Sequence, residues 1–232
     1  MSVIPTAISK WVFTAPTFCE KVKNLGLTMN RTLGRTDTVV HTCRRVFASV
    51  HTLKKIQHFL PFHIKLLLIK TLVFPHFNYC NTVINDMTVA LSTKLQRAQN
   101  YCIRFLYNLR RDDHVTPYYI QSAILKLSDA RKLRISTLVY SILKTGLPTY
   151  LDEQFQFVAE EGARTTCSGS LTLCIPHHRT TLYNRSFIVT VCRIWNSLPE
   201  PIRQIESRAR FVAELKDCLL NQMIAAGNAG VY

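Results

Sequence analysis

Two adjacent carboxylates, Asp112 and Asp113, are of a residue type and at a spacing that could bind catalytic metal ions. Polymerases hold two metal ions between such acids, and the ions stabilise the attacking and leaving oxygens. That mechanism needs a further Asp on a neighbouring strand, but the upstream acids Glu20, Asp37 and Asp86 lie in no convincing apolar strand. The pair also follows the end of a predicted helix. We therefore interpret it as a solvated loop and predict no catalytic residue.

A second cluster with ligand chemistry contains Cys167, Cys174, His177 and His178. Structural zinc sites bring their ligands in close pairs such as C-x2-4-C, whereas six residues separate these two cysteines. We interpret the segment as a polar loop and expect no metal or other cofactor. A Cys–His nucleophile pair stays open, because nothing in the sequence selects one of the eight cysteines.

The strongest functional signal is a basic stripe on one predicted helix. Its members recur at intervals of three and four, so they line one helix face. They are Lys94, Arg97, Tyr101, Arg104, Asn108 and Arg111. Arginine and lysine contact phosphates, and tyrosine offers a plane on which a base can stack. A solvated outer face of a helical bundle is the alternative, but the absence of acids among the six favours nucleic-acid binding.

The charge distribution points to the same part of the chain. The 29 basic and 14 acidic residues give a formal net charge of +15. Eleven of the bases but only one acid, Asp86, fall within residues 41–111. A concentrated positive field favours a polyanion, with nucleic acid first and an anionic membrane surface second. A solvated basic face with no ligand is the alternative.

The elements that must position these residues are predicted to be helices. Glycine is scarce, with 7 in 232 residues, which disfavours a barrel or sandwich rich in tight turns. Apolar residues recur with helical periodicity, and the predicted helices span about 37–60, 61–75, 89–109, 117–127, 128–144, 181–198 and 207–225. Ser128 or Asp129 is expected to cap the start of the helix over 128–144, and Gly146 to stop its end. Residues 156–180 are predicted to form a loop or short hairpin. Only Lys21–Leu27 alternates like a strand and ends in turn residues.

Periodicity also predicts what is buried. We expect Leu95, Cys102 and Leu106 to face inward, opposite the basic stripe. Trp195 lies on an apolar helix face, and we expect it and Leu198 to be core residues packed against the last helix.

The ends of the chain and its cysteines favour an intracellular protein, nuclear or cytoplasmic. The N-terminus has no basic region followed by an apolar run, so it does not resemble a signal peptide. The most apolar stretch, Phe59–Phe77, is interrupted by Lys65 and Lys70. A bilayer span needs about 20 apolar residues with few charges, so we predict no membrane helix. The scattered cysteines are expected to be reduced thiols.

Three short motifs, Lys21–Gly26, Leu95–Asn100 and Trp195–Pro199, occur in a fixed order along the chain. They resemble the strand after the polymerase motifs, the thumb-like helix and a motif near the end of reverse transcriptases of non-LTR (LINE-type, jockey-like) retrotransposons, in the region downstream of the catalytic core. Their order and spacing extend the resemblance over about residues 18–220. The chain departs from the family at Asn30 and at Asn78, where the family has Asp.

The resemblance implies a mainly α fold with three parts. Residues 1–35 would end a polymerase palm, with a short strand or hairpin; 36–112 would form a thumb-like helical domain; and 113–232 would form a C-terminal helical module. The Asp-bearing strand and the Tyr/Phe-Ala-Asp-Asp turn of the family would precede Lys21, and residues 1–20 contain neither. Because these carboxylates would bind the metal ions, we expect a catalytically incomplete fragment. Mg²⁺ would be a cofactor only of the intact parent enzyme.

The same resemblance predicts the partners. The fragment would grip an RNA template and its DNA primer, and a protein partner could dock where the palm is missing. Two alternatives stay open: an intact enzyme of another kind, marked by a buried acid or Cys–His cluster, and an inert or domesticated helical scaffold that binds protein.

Overall fold

The computed structural model of the chain describes residues 20–30, 34–79, 82, 87–158 and 171–228. It is mainly helical, with a short antiparallel hairpin at its start, as the sequence predicts. The hairpin pairs β1 (Lys21–Asn24) with β2 (Leu27–Asn30). Its two-residue turn has positive φ at both positions, 45° at Leu25 and 79° at Gly26, which suits the right-handed twist of the strands.

Two long helices and a kinked helical segment between them form the first half of the fold. The long helices are α1 (Thr36–Lys55), which a 3-10 turn (Gln57–Phe59) follows, and α4 (Val89–Tyr107). The kinked segment consists of α2 (Phe62–Leu68), a π-helical turn (Ile69–Val73) and α3 (Phe74–Asn78). The π turn comes just before Pro75, which lies in the first turn of α3 and has no N–H to continue the regular ladder.

The second half contains shorter helices around two long ones. They are α5 (Thr116–Gln121), α6 (Leu127–Thr145), α7 (Thr149–Asp152), α8 (Thr181–Asn184), α9 (Phe187–Asn196), α10 (Glu200–Arg203) and α11 (Arg208–Asn228). Gly146 ends α6 in the left-handed conformation (φ 65°), which confirms its predicted role as a stop. An isolated bridge joins Phe157 to Leu173, at the two edges of the predicted loop.

Three details of the predicted helices are wrong. The helix predicted over 117–127 ends at Gln121, because the chain turns at Ser122 and Ala123, where Ala123 has a positive φ of 50°. Neither Ser128 nor Asp129 caps α6: the helix begins earlier, and Leu127 N–H donates to the Gln96 side-chain oxygen at 3.1 Å. The cap therefore comes from α4, 31 residues away. The predicted helix over 181–198 is two helices, because the chain turns at Arg185 and Ser186 between α8 and α9.

Buried apolar residues form two clusters. The first joins α1, α3, α4 and α5 around Val46, Val50 and Ile103. The second joins α6, α9 and α11 around Ile135 and Trp195. The long helix α11 contributes to both. Whether 36–112 and 113–232 are separate domains stays a prediction.

The burial of Trp195 and Leu198 is confirmed, at 2% and 8% exposure. Trp195 packs against Phe211 of α11, with ring centroids 6.1 Å apart, and its indole N–H donates to Leu171 O at 2.9 Å. The amide of Asn196 makes two 2.9 Å bonds to the backbone of Leu173. The Trp195–Pro199 phrase therefore holds residues 171–173 against α9.

Candidate nucleic-acid interface

The helix that carries the basic stripe, α4, is fixed at both ends. Thr88 caps its N-terminus by accepting a 3.4 Å bond from Leu91 N–H. At the other end Asn108 adopts the left-handed conformation (φ 52°), in which Asn is tolerated better than most residues. Leu95, Cys102 and Leu106 are buried, as predicted.

The predicted exposure of the stripe is confirmed, but its placement on one helix face holds only for Lys94, Arg97, Tyr101 and Arg104. The helix ends at Tyr107, so Asn108 is its left-handed cap and Arg111 lies in the turn beyond it. Lys94, Arg97, Asn108 and Arg111 are exposed, and Tyr101 and Arg104 are half-buried. Contacts with α1 keep this face in place: the Cys43 thiol lies 3.9 Å from Lys94 O, and Phe47 packs edge-on against Tyr101 at 5.2 Å. Nucleic-acid binding by these six residues stays a prediction.

Three of the six residues have no ion pair and no side-chain hydrogen bond in the described part of the chain. They are Lys94 and Arg97 on α4 and Arg111 in the turn after it. Their charges are compensated only by solvent and salt. They are therefore free to exchange that environment for phosphate oxygens.

Tyr101 differs from the open stacking plane that the sequence suggests. The Lys54 ammonium lies over its ring, 4.5 Å from the centroid, and Phe47 contacts it from the side. These contacts place Tyr101 in the α1–α4 packing. A base could stack on the ring face under Lys54 only after Lys54 had moved.

Arg104 has a structural task beside its charge. Its guanidinium donates from Nε to Arg110 O at 3.2 Å and from Nη2 to Asp113 O at 3.3 Å. The Asp113 carboxylate in turn accepts a 2.7 Å bond from Arg110 N–H. Arg104 and Asp113 together close the turn after α4.

Asn108 holds a buried lysine. Its Oδ1 accepts a 3.2 Å bond from the ammonium of Lys65, a residue of α2 that is only 6% exposed. The sequence marks Lys65 only as an interruption of an apolar run. Its partnership with Asn108 spans 43 residues and has no local signal.

The acids do not form a catalytic cluster in the described part of the chain. Asp112 and Asp113 are exposed in the turn after α4, which confirms the loop interpretation. Asp37 pairs with Lys21 at 3.0 Å, and Glu20 is exposed. Asp86 lies outside the described residues, which contain no buried carboxylate.

The four residues with ligand chemistry, for which the sequence predicts no metal site, are incompletely described, since Cys167 lies outside the described residues. His178 donates from Nδ1 to Pro176 O at 3.0 Å, and its Nε2 lies 3.4 Å from Arg193 Nη2. Among the residues that the structure describes, no three His, Cys, Asp or Glu side chains are grouped to hold a metal ion.

Three of the five described cysteines have the environment of core residues. Cys43, Cys102 and Cys192 are buried free thiols. Burial raises the pKa of Cys43; it raises the pKa of Cys102 to about 12 and that of Cys192 to about 11. Because the thiolate is the reactive form, these three are poor nucleophiles.

Sequence reasoning missed a polar network behind the basic face. Gln96 Nε2 lies within 3.0 Å of Gln99 Oε1, Asn100 Oδ1 and the Tyr119 hydroxyl. The hydroxyl donates to Asn100 Oδ1 at 2.8 Å, and Gln99 Nε2 donates to Leu125 O at 2.9 Å. Gln96, Gln99 and Asn100 belong to the phrase Leu95–Asn100, and here they join α4 to α5 and to the start of α6.

Large apolar side chains are exposed in α2 and in the 3-10 turn before it. Phe59 is 86% exposed and Leu67 is 56% exposed.

No helix in the described part of the chain is long and apolar enough to cross a membrane.

Comparisons with known proteins add no relative. No protein-family model matches the chain, and neither the curated proteins nor the solved structures include a significant match. The resemblance to non-LTR reverse transcriptases therefore remains a hypothesis based on the phrases quoted above.

Proposed function

We propose that this chain binds nucleic acid through the exposed face of α4, as a catalytically incomplete fragment of a non-LTR retrotransposon RNA-directed DNA polymerase. The resemblance gives the ligand class, an RNA template paired with a DNA primer. A nuclear or cytoplasmic location belongs to the same proposal.

One observation carries the binding proposal. Lys94 and Arg97 lie one turn apart on the exposed face of α4, and neither has an anionic partner among the described residues. On inert protein surfaces, positive and negative side chains are normally interspersed. Here the bases stand in a block of eleven basic residues and one acid. A phosphate backbone supplies the missing negative charge.

The proposal includes no polymerase chemistry. Two-metal catalysis needs carboxylates that share the ions, and the exposed Asp113 instead closes a turn. We expect no nucleotide incorporation on a primed RNA template with Mg²⁺ or Mn²⁺. Template-dependent incorporation that the double substitution Asp112→Asn and Asp113→Asn abolishes would show that the chain is an enzyme.

The binding test measures the affinity for a short RNA–DNA hybrid as a function of salt. The variant Lys94→Gln/Arg97→Gln should bind more weakly to every sequence alike. Its log–log salt slope should be smaller by about 1–2 units, because each lost phosphate contact no longer releases a counterion. Arg104 is left intact, because its removal would also open the turn at Arg110–Asp113.

A matched control removes two equally exposed bases elsewhere. Arg134 and Lys144 lie on α6 and form no ion pair with a described residue. The variant Arg134→Gln/Lys144→Gln loses the same charge and should keep the salt slope. If the two variants lose affinity to the same extent, the α4 face is not the binding surface.

A second candidate function is protein binding through the exposed apolar residues. Its support is Phe59, whose large side chain is almost fully exposed. Exposed apolar patches often mark protein interfaces. The substitution Phe59→Ser should leave hybrid affinity unchanged. If the unmodified chain self-associates in sedimentation experiments and Phe59→Ser does not, the patch is an interface between copies of this chain.

A further inference from the structure

A cleft lies beside the basic face, between the end of α1, the start of α2 and the end of α4. Its volume is about 580 Å³, and its polar lining includes Lys54, His58, Lys65, Arg104 and Asn108. No carboxylate lines it among the described residues. The cleft is therefore a positively charged depression large enough for a small anion.

The unusual member of this lining is Lys65. Only 6% of its surface is exposed. Its ammonium donates a hydrogen bond to a neutral partner, Asn108 Oδ1, and lies 5.7 Å from the centroid of the Phe105 ring. No carboxylate among the described residues forms an ion pair with it. A lysine carries three donors, and burying a charge is costly unless it is paired. The carbonyl end of α4 supplies only about half an elementary charge.

Other donors of the cleft are already held in position. Two nitrogens of Arg104 are fixed on the carbonyls of Arg110 and Asp113, so its guanidinium plane is set before any ligand arrives. Lys54 is held over the ring of Tyr101. The Asn108 amide is fixed by its bond to Lys65 and by the left-handed backbone. Pre-positioned donors reduce the ordering cost of binding.

We infer that this cleft is a phosphate-binding site, in which a phosphate group provides the counter-charge of Lys65 and accepts hydrogen bonds from Lys54 and Arg104. A phosphate carries several acceptor oxygens and matches both point charges and planar guanidinium groups. The inference goes beyond the proposed function, because the site holds a single phosphate whether or not a strand lies along α4. The phosphate belongs either to a nucleic-acid strand or to a free phosphate ion.

The test titrates inorganic phosphate into the full chain at constant ionic strength, with chloride as the compensating anion, because screening alone changes surface electrostatics. The melting temperature should rise with phosphate, since a ligand of the native state stabilises it by mass action. The substitution Lys65→Met should weaken phosphate binding at least about tenfold. Without phosphate it should not lower the melting temperature, because an unpaired buried charge is costly and methionine removes that charge while filling a similar volume.

The control substitution is Lys70→Met, which removes the same charge from an exposed position outside the cleft. It should leave the phosphate effect intact. If Lys65→Met does not fold, Lys54→Gln provides the second test, because Lys54 is exposed and lines the same cleft. That variant should also weaken phosphate binding, by about threefold or more.

Competition with a short hybrid oligonucleotide identifies the source of the phosphate. If inorganic phosphate displaces the hybrid from the unmodified chain but not from Lys65→Met, a strand phosphate occupies the cleft. If phosphate stabilises the chain without displacing the hybrid, the site takes free phosphate, and the α4 proposal stands or falls on its own salt slope. If phosphate gives no more stabilisation than chloride, or the same stabilisation to Lys65→Met, the site does not exist.

Discussion

The hydroxyl of Tyr119 should be worth far more to the fold than that of its neighbour Tyr118. Tyr119 is fully buried, and its hydroxyl accepts a 3.0 Å bond from Gln96 and donates a 2.8 Å bond to Asn100. Tyr118 packs its ring against Tyr107 at 4.7 Å, but its hydroxyl bonds to no described residue. Tyr119→Phe and Tyr118→Phe therefore remove the same atom from two different environments.

The magnitude follows from the bonds that are lost. A typical intramolecular hydrogen bond contributes about 1 kcal/mol net, and an orphaned buried group costs about 1–3 kcal/mol. In Tyr119→Phe the amides of Gln96 and Asn100 keep their mutual 3.0 Å bond. We therefore expect a loss of about 2 kcal/mol. Tyr118→Phe should stay within about 0.5 kcal/mol, as is usual for surface changes.

Gln96→Leu should cost more than Tyr119→Phe. It orphans the Leu127 N–H at the start of α6 and removes one partner of the Tyr119 hydroxyl. The expected loss is about 2–4 kcal/mol. Because the two residues share a bond, the double variant should cost less than the sum of the single ones by at least about 0.5 kcal/mol.

Urea unfolding followed by the helical circular-dichroism signal measures all four variants. The slope with denaturant should stay constant, so that midpoint shifts report stability. Equal losses for Tyr118→Phe and Tyr119→Phe would refute the argument, as would strict additivity of Gln96→Leu and Tyr119→Phe.

Two further predictions concern the second cluster and alkaline pH. Trp195→Ala should cost roughly 3–5 kcal/mol in urea unfolding, whereas Leu182→Ala, at a site that is 73% exposed, should cost little; similar losses would contradict the predicted core role. Burial raises the pKa of Cys102 to about 12 and that of Cys192 to about 11, from an ordinary 9.0. Unfolded thiols ionise above pH 9 while these two stay protonated, so stability should fall as pH rises from about 9 to 11. The fall should be smaller in Cys102→Ala; an unchanged fall would remove Cys102 as its cause.

The helices could be predicted because their signal is local. Apolar periodicity over one stretch of sequence defines α1, α4 and α11 within a few residues. The turn at Leu25 and Gly26 likewise depends on adjacent residues. The start of α6 could not be predicted from Ser128 or Asp129, because its cap is Gln96. A cap supplied by a distant helix leaves no trace in the capped segment.

The sequence could predict which side chains of the candidate site are exposed together, but not the partners of each side chain. Spacing along α4 shows which side chains share a face. It does not show what each side chain touches, because those partners come from other helices. Tyr101 is covered by Lys54, and Asn108 binds Lys65. The sequence treats Lys65 as a break in an apolar run, whereas the fold buries it at the edge of the basic face.

The bases of this region therefore separate into two groups that sequence alone cannot distinguish. Arg104 and Lys54 interact with protein groups, whereas the side chains of Lys94 and Arg97 form no ion pair or hydrogen bond with a described residue. Bases that also hold the fold would be needed in an inert scaffold too, so on their own they do not indicate a ligand, although Lys54 and Arg104 keep further donors that a phosphate in the cleft could use. The proposal for the α4 face depends on the charges that the fold does not use. Lys65 adds to the functional argument because its buried charge is costly unless an anion balances it.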